Sequence, residues 1–362
     1  MSQLRRILPH LRVPVVSAPM AYTSGWKLAC AVSQAGGLGF IGAGYVTDPN
    51  WAAQELQQAE AALTRTANGR LPVGIGFITW HLLAAPAASG EASVSAWQHI
   101  LAVALDYRPA ALWLSFGDAQ PVIAWLRERE RALASSPSDR CPVFVQVSSV
   151  AEAREAVAWG ADVIAAQGVE AGGHGAAVGS STLCLVPETV DAVAQHGTPV
   201  LAAGGVTDGR GLAAIMSLGA AGAVMGTRFL ACHESLASES IKDTIVAAKD
   251  GGLSTVRTTV FDRMRSFDWP KQYDARALRN RTTAADEAVQ AGTDPTARLP
   301  TQEEYVAAGR GHGDASIALA SAGQAVGLVR ERQSAAQIVE QTMAEARLAW
   351  QQSRAVFGEE DA

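Results

Sequence analysis

Eight short apolar runs, each separated from the next by a crossover, constrain this chain more than anything else in it. Val13 to Ala18, Leu38 to Gly42, Val73 to Ile78, Ala111 to Phe116, Val143 to Val147, Val163 to Gln167, Val200 to Ala203 and Ala223 to Met225 are rich in Val, Ile and Ala. Strands buried on both faces read as continuous apolar runs of this kind. Between them, Trp51 to Leu63, Ala119 to Ala134, Ala151 to Trp159 and Gly209 to Leu218 have the spacing of helices with one apolar face. The alternation predicts βαβ units in a parallel sheet, and eight repeats favour an α/β fold closed as a (β/α)8 TIM barrel over an open doubly wound sheet.

After the eighth run the pattern changes. Polar and charged residues concentrate from about Ser235 to Gly313, as in TVFDRMRSFDWPKQYDARALRNRT, and a helical pattern resumes near Ser334 to Trp350. The expected organisation is a barrel over 1–234, an inserted lid or substrate domain over 235–313, and C-terminal helices over 314–362 that complete the barrel. With 362 residues, 48% apolar and 18% charged, the chain has ample material for a large core.

A formal net charge of −6 without a basic stripe argues against nucleic acid as the main partner. Cys30, Cys141, Cys184 and Cys232 form no CxxC pair, which suits neither a zinc site nor a disulfide framework and fits a reducing, cytoplasmic setting. The start, MSQLRRILPHLRVP, has no apolar core of signal-peptide length. The weakly charged stretch Leu71 to Gly90 is interrupted by Pro72, Gly74, Gly76, His81 and Pro86, so it reads as a buried strand running into a loop, and no membrane partner is expected. A homodimer is compatible with the sequence.

In parallel barrels, chemistry is built at the carboxyl ends of the strands. The glycine pair Gly204, Gly205 after the seventh run and Gly226, Thr227 after the eighth offer exposed backbone N–H groups that suit a phosphate, with Thr207 and Asp208 as caps for the next helix. After the sixth run, Glu170, Ala171, Gly172, Gly173, His174, Gly175 surround one imidazole with almost no bulk, so a flat ligand could lie against the backbone there. Imidazole titrates nearest neutral pH, which makes His174 the candidate base. His10, His81, His99, His196, His233 and His312 read as surface, loop or packing residues. Gln146 and Gln167 are strand-end amides that a heterocycle edge would satisfy, as would a neighbouring loop. Cys232, His233 and Glu234 are consecutive and lack further ligands at useful spacing, so no metal is expected. GxSxG and Walker loops are absent.

APMA at 18–21, AVSQAGGLGFIGAG at 31–44, GADVIAAQGVEAGGHG at 160–175, AAGGVTDGRGLAAIMSLGAAGAVMGTRFL at 202–230 and AGQAVGL at 322–328 together resemble the nitronate monooxygenase (2-nitropropane dioxygenase-like) flavoproteins. The resemblance implies a non-covalent FMN with its phosphate at Gly204, Gly205, Gly226 and Thr227, and with Ala18, Pro19, Met20, Gln167 and Gly172 near its ring and ribityl chain. Gly76, Gln146, Gly173 and Met225 complete the candidate cofactor-binding set. His174 matches the family's catalytic base, and the implied reaction takes a nitroalkane or nitronate and dioxygen to a carbonyl compound and nitrite. Two positions depart from the pattern: Gly76 stands where many members have a flavin-contacting asparagine, and Val224 where glutamine is frequent. An alternative on the same barrel is an NAD(P)H-linked reductase of enoyl thioesters or quinones; a third is a non-enzymatic binder of flavin or another phosphate ligand.

Overall fold

The computed structural model describes residues 2–84, 95–133, 140–308 and 313–357. Its strands in chain order are β1 (Val15–Ser17), β2 (Gly39–Gly42), β3 (Leu71–Ile78), β4 (Pro109–Ser115), β5 (Val143–Val147), β6 (Val163–Gln167), β7 (Gly173–Ala176), β8 (Val200–Ala203), β9 (Gly222–Met225), β10 (Thr255–Thr258) and β11 (Tyr273–Leu278). The first six together with β8 and β9 pair in parallel in the order β1-β9-β8-β6-β5-β4-β3-β2. Leu38 then closes the circle: it bridges Val16, its N–H donates to the Val15 carbonyl at 3.0 Å, and its carbonyl accepts the Ser17 N–H at 3.0 Å. The eight apolar runs are the eight staves of a TIM barrel.

Period-two alternation sorts the side chains of each stave. Val16, Phe40, Trp113, Phe144, Val163, Ala165 and Leu201 point inward, while Val15, Ile41, Leu112, Val143, Val145 and Ile164 pack outward under the helices. Phe40, Trp113 and Phe144 meet in the barrel interior at centroid separations of 5.3, 5.4 and 6.0 Å. Leu4, Leu8 and Leu11, from the opening helix Ser2–Ile7 and the turn after it, join that interior cluster. The residues read only as lacking a signal peptide therefore bury apolar surface within the barrel.

The helices anticipated from periodicity are present as Pro49–Ala62, Gln120–Leu133, Val150–Trp159, Gly209–Ser217 and Ala335–Phe357. Asp208 caps the fourth, accepting from Arg210 and Gly211 N–H groups at 3.0 and 3.2 Å. The last helix lies against it, with Gly209 so close that an added Cβ would stand 2.2 Å from the Ala346 nitrogen. Where a loop was expected after β3, Thr79–Leu83 is a short helix, tied down by the Trp80 N–H on the Phe116 carbonyl at 2.9 Å. Pro86 and His312 lie outside the described residues. Among the described residues no helix is long and apolar enough to cross a membrane.

The second sheet was not anticipated. β7, β11 and β10 form an antiparallel three-stranded sheet in the order β10-β11-β7, with Ala275 opposite His174. The GHGA segment has too little side chain to register as a strand in sequence, yet it is one because β11, about a hundred residues later, supplies its hydrogen-bonding edge.

Candidate active site

A cavity opens at the carboxyl ends of the barrel strands. Of the residues singled out from the sequence, Ala18, Pro19, Met20, Gln146, Gln167, Gly172, Gly173, His174, Gly204, Gly205, Gly226 and Thr227 line it together. Gly76 and Met225 do not. Gly76 lies beneath the lining: a Cβ there would fall 2.4 Å from Pro19 Cβ, so its bareness lets the β1 loop settle on β3. Met225 is fully buried in the outer core, and its carbonyl accepts the Ala18 N–H at 3.0 Å.

The glycine loops have the geometry of an anion cradle. Gly204 and Gly205 adopt φ of 101° and 73°, a left-handed pair that glycine adopts at little cost. Among the described residues the N–H groups of Gly205 and Gly226 have no hydrogen-bond partner. A Cβ on Gly226 would meet only Ala18 Cβ and Met20 Sδ, both at 3.8 Å, so the space beside it is open on the cavity side. Unpaired N–H groups converging from two adjacent loops fit a phosphate. Asp208 already occupies the N-terminus of the Gly209–Ser217 helix, which confines such a phosphate to the glycine turns.

Glu170 is a tether. Its carboxylate accepts from the Thr182 N–H at 2.9 and 3.0 Å and from Thr182 Oγ1 at 3.1 Å, pinning the loop between β6 and β7. Gly172 is bare because the chain at Ala322 and Gly323 runs over it; an added Cβ would lie 2.5 Å from both the Ala322 carbonyl carbon and the Gly323 nitrogen. Gln146 Nε2 donates to Gln167 Oε1 at 3.0 Å, and Gln167 Nε2 donates to the His174 carbonyl at 3.1 Å. The amide pair thus holds the backbone of the histidine.

The imidazole is enclosed by residues that the sequence had not marked. His174 Nε2 lies 2.9 Å from Asp262 Oδ2, and the other carboxylate oxygen accepts from Arg265 Nη2 at 2.8 Å. Trp269 stacks on the ring at 3.6 Å and 6°, and its indole N–H donates to the Tyr45 hydroxyl at 3.0 Å. Phe116, held at φ 60°, presents its ring to His174 edge-on at 6.4 Å. Burial pushes His174 below its ordinary 6.5, partly opposed by the Asp262 carboxylate. That direction favours the neutral ring near pH 7.

Asp262 and Arg265 come from the helix Val260–Arg265, inside the polar stretch that carried no recognisable motif. A usable signal was present: an acid in the apolar company of Val260, Phe261 and Met264, with an arginine one turn on at i+3. Among the described residues no three His, Cys, Asp or Glu side chains group as metal ligands would.

Comparison with known proteins adds a lineage to this geometry. A family profile described as nitronate monooxygenase matches residues 3–345. The nitronate monooxygenase npaC of Metarhizium robertsii is 39% identical over 95% of this chain and 94% of its own. Among solved structures, FabK from Thermotoga maritima superposes with a TM-score of 0.75 at 27% identity, covering 98% of both chains. The nitroalkane oxidase of Streptomyces ansochromogenes gives 0.72 at 29% identity, covering 97% of this chain and 99% of its own.

Proposed function

The chain belongs to the nitronate monooxygenase family of oxidoreductases, and from that premise we propose that it is an FMN-dependent enzyme oxidising alkyl nitronates or nitroalkanes with dioxygen to a carbonyl compound and nitrite. The observation that carries the reading is one cavity holding both a glycine anion cradle and a buried imidazole. Gly204, Gly205, Gly226 and Thr227 would hold the phosphate, while Ala18, Pro19, Met20 and Gln146 would border the ring system. The flavin supplies the electron-accepting chemistry and the passage of electrons to dioxygen.

The protein's own contribution is positioning and proton handling. His174, neutral near pH 7, takes the α-proton of a nitroalkane; with a nitronate, already deprotonated, it serves as a polar neighbour for the anion. Tyr22, Tyr45, Phe116, Trp269 and Leu319 line the same cavity and give an alkyl chain an apolar wall.

The test is an absorbance spectrum of the purified protein, followed by anaerobic mixing with an alkyl nitronate and, separately, with NADH. A yellow protein bleached by nitronate and not by NADH, forming nitrite on return to air, is the expected result. Protein that is colourless and cannot be reconstituted with FMN ends the reading, and rapid bleaching by NADH alone turns it toward the reductase alternative.

A further inference from the structure

The hydrogen bonding around His174 has a direction. Arg265 is a pure donor: its Nε donates to the Phe261 carbonyl at 3.2 Å and its Nη2 to Asp262 Oδ1 at 2.8 Å. A carboxylate is a pure acceptor, so Asp262 Oδ2 at 2.9 Å requires a proton on His174 Nε2. The three side chains are 10, 5 and 9% exposed for His174, Asp262 and Arg265, which keeps water from substituting for any partner. Trp269 covers one ring face and Gln167 grips the residue's own carbonyl. Nδ1 has no hydrogen-bond partner among the described residues, and His174 lines the cavity.

We propose that Asp262 is a positioning residue that fixes His174 as the Nε2–H tautomer and thereby makes Nδ1 the nitrogen that accepts the substrate proton. The role of Nδ1 rests on His174 being the base, as proposed above; the tautomer does not. The inserted segment thus supplies the second carboxylate oxygen that orients the imidazole, together with the arginine that occupies the first.

Replacing Asp262 by asparagine tests the direction of the chain. Arg265 can only donate, so it retains the amide oxygen, and the amide NH2 then faces His174 Nε2. That nitrogen must become an acceptor, the ring proton moves to Nδ1, and the base is blocked.

The experiment is a two-bond 1H–15N correlation on full-length, FMN-reconstituted protein labelled with 15N-histidine, recorded without substrate above the titration of His174, whose signals are identified by their loss in His174→Gln. Protonated Nε2 and unprotonated Nδ1 are expected in the parent, and the reverse pattern in Asp262→Asn, with kcat for nitroalkane falling about 10²- to 10⁴-fold while KM changes little. A parent with its proton on Nδ1 overturns the proposal and needs no variant to fold. An Asn variant with the parental tautomer and parental kcat also overturns it. Failure to oxidise nitroalkanes, with the tautomer as expected, removes the functional reading and leaves the hydrogen-bond assignment intact.

Discussion

The two walls of the cavity are made of different materials. On the barrel side, the loops after β8 and β9 present backbone, and what matters is the absence of side chains at Gly204, Gly205 and Gly226. On the side of the small sheet and the Val260–Arg265 helix, the wall is side chain upon side chain: Trp269 on His174, Asp262 on its edge, Arg265 behind. A backbone wall depends on local conformation, which glycine spacing announces. A side-chain wall depends on tertiary arrangement, which nothing local announces.

If the division holds, substitutions on the two sides should fail differently. With a neutral nitroalkane as substrate, His174→Ala should keep the yellow colour and lose about 10²- to 10⁴-fold in turnover, measured as nitrite release; unchanged turnover on nitroalkane would remove the base from the side-chain wall. Gly226→Ala is tolerated by the surrounding protein, where the new Cβ meets only ordinary contacts. It should nonetheless weaken FMN binding by about tenfold, or ~1.4 kcal/mol, with the melting temperature of the flavin-free protein unmoved. Equal FMN affinity, read by fluorescence titration, would mean that the cradle binds something else.

Gly76→Ala is the converse case. Its Cβ collides with Pro19, so thermal unfolding should show a loss of about 1–3 kcal/mol; an unperturbed melting curve would contradict the packing described. Trp269→Ala should cost about two- to tenfold in kcat/KM, in line with ~0.5–1.5 kcal/mol for a stacked aromatic pair. The smallest effect is on pH. Burial lowers the His174 pKa, and on the proposed reading His174 deprotonates a nitroalkane only when neutral, so activity on nitroalkane falls as pH drops through that lowered value. The acid limb of kcat/KM should therefore have its midpoint below 6.5, and a limb above 6.5 would contradict the burial argument.

The same contrast explains what could be read from sequence. All eight staves of the barrel appear as apolar runs because each is buried on both faces, and the glycine turns appear because few other residues fit them. His174 stood out through its bare neighbours. Asp262, Arg265 and Trp269 did not, since they reach His174 across 88 or more residues of chain through a sheet whose β7 strand is nearly side-chain-free. Gly76 is the opposite case. A glycine at a strand end resembles a ligand contact, and only the position of Pro19 shows that it answers a packing need. Gly172 has the same ambiguity, lining the cavity while being shaped by Ala322 and Gly323.

Because β7 takes its place in a sheet with β11, the imidazole is borne by one structural body and the anion cradle by another. A protein engineer exchanging the 235–313 stretch between relatives would exchange the histidine's hydrogen-bonding partners with it. Working chimeras in this lineage should therefore transfer the segment around residues 168–176 and the segment from 255 to 278 as a single heritable unit, with crossover points inside the barrel rather than at the ends of that polar stretch.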